Sequence, residues 1–390
     1  MKIRSRQQGY ALLIFVAALA TASSALAVKV INNNGNNQIA RDKITAAALA
    51  QAKDALIGYA SIYQDANLNV PFYMNGYLPN PDLGPGDSQE GRAAGNFSGN
   101  HKDYSAIGKV PWKKLGVTPL RDGQGECLWY VVSGRFKNTP LTDELNWDTQ
   151  GQIDITDSNG NLIASNVAAL LVAPGKPQTG QNRAHDPADT QYIQCGGNYD
   201  AGNYLNSYFP GSTNNRVASN TNNKSFVMAN NDRFLFVTVD DIFRPIIHRS
   251  NFRDQISALL NDPYLQSIAS SASKKGTNNI NCDNTSNSDN QNFCKNWGII
   301  LLLTTLPVPS NITIDGALTP APCSRVLIFG GQKTAGQVRL TNADKNNPDN
   351  YLEAPNRAAF DTPTAHSSNF YGFSTFDAKH PEHDLLRCIP

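Results

Sequence analysis

Lys2 to Val28 reads KIRSRQQGYALLIFVAALATASSALAV, and its processing decides whether the fold includes a membrane helix. Lys2, Arg4 and Arg6 precede a run, Tyr10 to Val28, that carries no charge, and Lys29 closes it. About 19 uncharged residues are just enough to cross the hydrocarbon core of a bilayer as a helix. Basic residues ahead of such a run hold the N-terminus on the cytoplasmic side, so export of everything after Lys29 is expected. One reading is a secretory signal peptide, cut after the small-residue site Ala25-Leu26-Ala27 to leave Val28 first. Another is an uncleaved anchor.

Outward from this stretch, the chain has 390 residues, enough for two domains with real cores. Lys and Arg number 33 against 32 for Asp and Glu, which leaves no basic footprint for nucleic acid. Charged residues make up only 17%, beside 29 Gly and 22 Pro, a composition that suits an exported, loop-rich protein. The six cysteines, Cys127, Cys195, Cys282, Cys294, Cys323 and Cys388, are an even count in an exported chain and suggest disulfides. Pairing by neighbourhood joins Cys127 to Cys195, Cys282 to Cys294 and Cys323 to Cys388. No C-x-x-C pair is present, so no zinc site of that kind is expected.

Ile31 to Asn37 (INNNGNN) lacks periodicity and is read as a polar hinge. From about Gln38 to Tyr63 an amphipathic helix is expected. Leu49, Ala52, Leu56, Tyr59 and Tyr63 form one apolar stripe, opposite Arg41, Lys43, Gln51, Lys53 and Asp54. Pro79, Pro81, Gly84, Pro85 and Gly86 then make a turn-rich loop. Asp122-Gly123 is a turn before the strand Cys127–Val132, and Asn159-Gly160 turns a hairpin within 152–165. Ala168–Ala173 and Arg233–Val239 read as strands around a long polar loop, 176–223, and Asp240 or Asp241 starts helical segments that run to Leu260. Residues 267–295 are polar and read as an exposed insertion or linker. Beyond them Trp297–Val308, Arg325–Phe329, Gln337–Leu340 and Phe370–Phe376 read as strands, with Asp384–Cys388 tied down by its cysteine.

Several stretches resemble a known family. Arg6-Gln7-Gln8-Gly9 before Tyr10-Ala11-Leu12-Leu13 resembles the leader of type IV pilins and type II secretion pseudopilins. The run Ile44–Ala60 is similar to the helix of a group of large pilin-like proteins of Gram-negative bacteria. Three segments follow in that group's order and spacing: Gly76-Tyr77-Leu78-Pro79-Asn80-Pro81-Asp82, Gly108–Gly116 with Pro111-Trp112, and Arg121–Tyr130 with Leu128-Trp129-Tyr130. The likeness extends to Val326–Gln332 and Tyr351-Leu352-Glu353. It implies a prepilin peptidase that cuts after Gly9 and methylates Tyr10, and an apolar run retained as an inner-membrane anchor. It also implies a periplasmic head and other pilin or pseudopilin subunits as partners. Two departures stand out. Ile14 occupies the place of a Glu that most pilins carry, which points to a tip or accessory role, and Asn80 stands where Cys is usual.

Other chemistry finds little support in the chain. Asp82, Asp87 and Glu90 lie close together, but no base, nucleophile or ligand set accompanies them, and a solvated loop is expected. Asp154, Asp157, Asn159 and Asn161 miss the EF-hand template, because Ile155 falls where an acid is needed. His380 and His383, with Asp377 or Asp384, make at most half a metal site. Tyr192, Tyr199, Tyr204, Tyr208 and Phe209 suit either loop packing or stacking on sugar rings. No catalytic residue, cofactor or metal is therefore assigned. The fold class expected is α+β: a membrane-spanning helix, an amphipathic helix on an antiparallel sheet, and a C-terminal β-rich module. The expected divisions are 1–9 leader, 10–37 membrane helix and hinge, 38–266 head, 267–295 insertion and 296–390 β-rich module. The function expected is that of a minor filament or secretion-apparatus subunit acting by protein or surface binding, inner-membrane anchored or assembled into an extracellular filament. A surface or glycan ligand is a further candidate partner, and the alternative is a secreted periplasmic or extracellular β-rich carbohydrate-binding protein released by signal peptidase after Ala27.

Overall fold

The computed structural model describes residues 34–67, 74–141, 144–185, 192–210, 217–219, 224–229, 231–268, 274–275, 280–361 and 369–390. Gly9, Tyr10, Ile14 and the apolar run lie outside the described residues. No described helix is long and apolar enough to cross a membrane. The fold is mixed α+β with mainly antiparallel sheets, gathered into two compact units. The first draws on the described residues within 34–59, 78–141 and 151–238, the second on those within 60–77, 144–150 and 239–390.

Helix α1 (Asn34–Ile62) enters the first unit. It begins four residues before the expected Gln38, so Asn34–Asn37 are helical and not a hinge. Asn is well tolerated at a helix start, which makes the polar stretch a beginning and not a break. Ala48, Leu49, Ala52 and Leu56 are buried along one face, while Lys43 and Asp54 face solvent. Thr45 Oγ1 accepts the Gly123 N–H at 2.9 Å, which seats α1 on the Asp122-Gly123 turn. Gly is required at that turn, because a Cβ on Gly123 would collide with the Arg41 backbone.

The main sheet of this unit is an antiparallel meander of β1 (Tyr104–Lys109), β2 (Trp129–Val132), β5 (Ala169–Ala173) and β8 (Arg233–Val237), with β6 (Val217–Ser219) on the β1 edge. The inserted hairpin β3 (Ile153–Thr156) and β4 (Leu162–Val167) pairs in parallel with β7 (Ser225–Val227). Period-two alternation sorts the side chains. Trp129, Val131, Leu170 and Val172 join Ile153, Ile155, Tyr204 and Phe226 in one core. Tyr130 points to the opposite face, where its hydroxyl donates to Pro79 O at 3.1 Å and Tyr59 of α1 is its neighbour. At the hairpin tip, Asp157 Oδ1 accepts both the Asn159 and Asn161 N–H groups at 2.8 Å and so closes the expected turn.

The second unit corrects the expected divisions. Helices α2 (Val239–Ile247) and α3 (Ser250–Leu260), read as part of the head, belong here with α4 (Pro263–Ser267). Part of the expected linker is also core, since α5 (Ser288–Trp297) buries Phe293, Cys294 and Trp297. Asp262 anchors it, accepting from Ser286 N, Ser286 Oγ and Asn290 Nδ2. Trp297 therefore ends a helix and does not begin a strand. Trp147, Phe252, Phe293, Trp297, Phe329 and Phe376 pack as one aromatic core with centroids 4.9–6.3 Å apart. The sheet runs β15 (Leu385–Ile389), β13 (Cys323–Phe329), β10 (Leu301–Ser310), β9 (Lys274–Lys275). The β10–β13 ladder lapses between Thr305 and Ser310, where Pro307 and Pro309 have no N–H to give. A small sheet joins β11 (Thr313–Ile314), β12 (Ala317–Leu318) and β14 (Tyr371–Gly372), and the short helices α6 (Asn342–Asn346) and α7 (Asn356–Asp361) complete the unit. The C-terminal portion is thus α+β, not simply β-rich. Gln337–Leu340 is irregular and not a strand, because it delivers Arg339 to the interior.

Candidate functional site

A buried polar cluster of the first unit lies where the 78–91 loop meets the long loop after β5. Asp82 and Glu90, expected on a solvated loop, are 0% and 5% exposed. Pro79 and Pro81 extend the chain and deliver Asp82 inward beside β1. Its Oδ1 accepts from Gly84 N at 3.0 Å and Ser88 Oγ at 2.7 Å. Its Oδ2 accepts from Gly91 N at 2.6 Å and Tyr199 Oη at 3.1 Å. Burial raises the Asp82 pKa, and these hydrogen bonds oppose the rise. Four donors on two oxygens fill the carboxylate's acceptor sites and make Asp82 a clamp between the two loops.

Glu90 completes the junction from the same loop, taking Gln194 N at 3.1 Å and Cys195 N at 2.5 Å. Lys109, 1% exposed at the end of β1, donates to Gly196 O at 2.9 Å and lies 4.2 Å from the Tyr199 ring centroid. Burial lowers its pKa to about 8, against the pull of Asp82 and Glu90. The Cys127–Cys195 disulfide, with Cα atoms 5.6 Å apart, closes the junction covalently. Asn80, where the resemblance would place Cys, donates to the carbonyls of Ala94, Gly95 and Thr139 and so does a crosslink's work with hydrogen bonds.

The loop tyrosines are mostly committed. Tyr204 and Phe209 are buried, and Tyr204 lies 5.2 Å from Trp129. Tyr192 and Tyr199 pack edge to face at 5.6 Å. Tyr208 alone of the five is exposed, at 53%, and Tyr192 and Tyr199 are half-buried.

In the second unit, the Val326–Gln332 and Tyr351-Leu352-Glu353 segments converge. Arg339 Nη1 pairs with Asp148 Oδ2 at 2.8 Å, Nη2 donates to Gly331 O at 3.0 Å, and the guanidinium lies 4.1 Å over the Tyr351 ring. Nearby, Asp384 accepts from Asn356 Nδ2 at 2.8 Å and Glu353 N at 3.2 Å. Burial raises Glu353 to about 7, helped by the neighbouring Asp384 carboxylate. Sequence reasoning missed Arg339 and Asp148, 191 positions apart, and no local pattern marks such a pair. The remaining disulfides join Cys282 to Cys294 and Cys323 to Cys388. His380 and His383 stand on a surface turn, while Asp384, weighed as a third ligand beside them, is turned inward. Comparison of the chain with family models, curated proteins and solved structures finds no match.

Proposed function

We propose that the chain is a minor pilin-like or pseudopilin-like subunit, anchored in the inner membrane by Tyr10–Val28 and carrying a periplasmic head that binds protein partners or a surface. The observation that carries this reading is α1 seated on an antiparallel meander through the Asp122-Gly123 turn. This is the arrangement expected where a retained N-terminal helix must present a globular head. The helix is already formed at Asn34, soon after the apolar run. Three disulfides suit a head that folds in an oxidising compartment. Other pilin or pseudopilin subunits and the prepilin peptidase are the partners that follow.

Mass spectrometry of the N-terminal peptide of the exported protein tests the proposal. An N-methylated Tyr10 start, abolished by Gly9→Val, is expected. A start at Val28 would sink it.

A further inference from the structure

The turn 377–383 leads into β15, and its backbone is held at several points. His380 N donates to Asp377 O at 3.0 Å, His383 N to His380 O at 3.2 Å, and Gln332 N to Pro381 O at 2.7 Å. Gly331 lies so close beneath that a Cβ there would collide with the Glu382 carbonyl. Ring packing seats His383 and brings the exposed His380 beside it. Phe373 stacks on His383 at 4.5 Å and 11°, and His383 stacks on His380 at 5.0 Å and 11°. Glu382 reaches between them, its Oε1 3.4 Å from His380 Nδ1 and 3.9 Å from His383 Nε2. One ligand atom from each of the three residues falls within 4.8 Å of the others.

Zinc bonds of about 2.0–2.1 Å in tetrahedral geometry set ligand atoms about 3.3–3.4 Å apart. The Glu382–His380 separation already matches that edge, and the others close when the exposed His380 ring turns out of its stack on His383, since the in-plane lone pairs of two parallel imidazoles do not converge on one ion. We propose that His380, Glu382 and His383 form a binding site for a divalent first-row transition ion of the zinc type, with a fourth position open to solvent. Two imidazoles and one carboxylate select such an ion over Ca²⁺ or Mg²⁺, which take oxygen ligands. The third ligand is Glu382, from within the turn, and not Asp377 or Asp384. A bare surface ion pair between Glu382 and a protonated histidine is the competing account, and it takes up no metal.

Calorimetric titration of the full-length protein with zinc chloride near neutral pH decides between them. One zinc per chain is expected, with His380→Ala and His383→Ala each weakening it by at least about tenfold. Co²⁺ should give the visible absorption of a four-coordinate site, lost in His383→Ala. Excess Ca²⁺ and Mg²⁺ should not compete. Circular dichroism of the variants, unchanged at these surface positions, separates ligand loss from misfolding. No zinc uptake by the parent protein, or uptake unaltered in the His380→Ala, His383→Ala double variant, would overturn the proposal.

Discussion

Asp82 shows how much one buried carboxylate can organise. It collects two backbone amides and two hydroxyls from positions as far apart as Gly84 and Tyr199. Asp82→Asn keeps the shape but turns an acceptor into a donor facing other donors. A loss of about 2–3 kcal/mol is expected, read as a lower urea midpoint at unchanged slope. An unchanged midpoint would remove Asp82 from the role of clamp. Its place beside Pro79 and Pro81 was legible as a turn, but its burial was not. An acid in a proline-rich loop looks solvated until the Tyr199 loop, more than a hundred residues later, covers it. Arg339 was hidden for the same reason, because its partner Asp148 is as remote.

At the scale of elements, α1 and the meander were legible because each carries its own period. Ala48, Leu49, Ala52 and Leu56 recur at helical spacing, and Trp129–Val132 alternates between two buried faces. α5 was missed because Ser288, Asp289, Asn290, Asn292 and Asn296 make half of it and helix propensity is weak there. It forms because Asn287 caps it, Asp262 holds its start, and Phe293 and Trp297 enter an aromatic core. The Cys127–Cys195 bridge spans 68 residues, and closing a loop of that size is worth about 4 kcal/mol on the chain-entropy scale. The Cys127→Ser, Cys195→Ser pair should lower stability by roughly that amount. It should also raise amide exchange at 192–199 ahead of the sheet. Uniform exchange across the first unit would show that the bridge does not hold the loop locally.

Taken whole, the molecule buries lysines that favour a proton-poor folded state. Lys137, fully buried, donates to Asn100 Oδ1 and to His101 O at 2.7 Å, and burial lowers it to about 7. Lys109 is lowered to about 8. Both folded values lie below the ordinary 10.5, so between them and 10.5 the unfolded chain binds more protons and stability rises with pH. Tyr130 is raised well above 10, so the rise should end near pH 10 as unfolded tyrosines ionise. Urea midpoints that climb from pH 7 to 9 are therefore expected. Lys137→Met should raise the pH 7 value and flatten the slope. A midpoint that falls over this range in the parent protein would contradict these lysines as its source.

The sequence by itself determined what depends on local order. The α+β class, the Asn159-Gly160 hairpin, the stripe of α1 and the neighbourhood pairs Cys127–Cys195, Cys282–Cys294 and Cys323–Cys388 all follow from spacing along the chain. Tertiary structure alone decided which polar groups are interior. It grouped α2 and α3 with the C-terminal sheet, sank Asp82 and Glu90, carried Arg339 to Asp148, and set Glu382 between His380 and His383. Those outcomes depend on desolvation and on partners distant in sequence. Periodicity reports which face of an element is apolar, but not which remote donor will meet a charge once water has left.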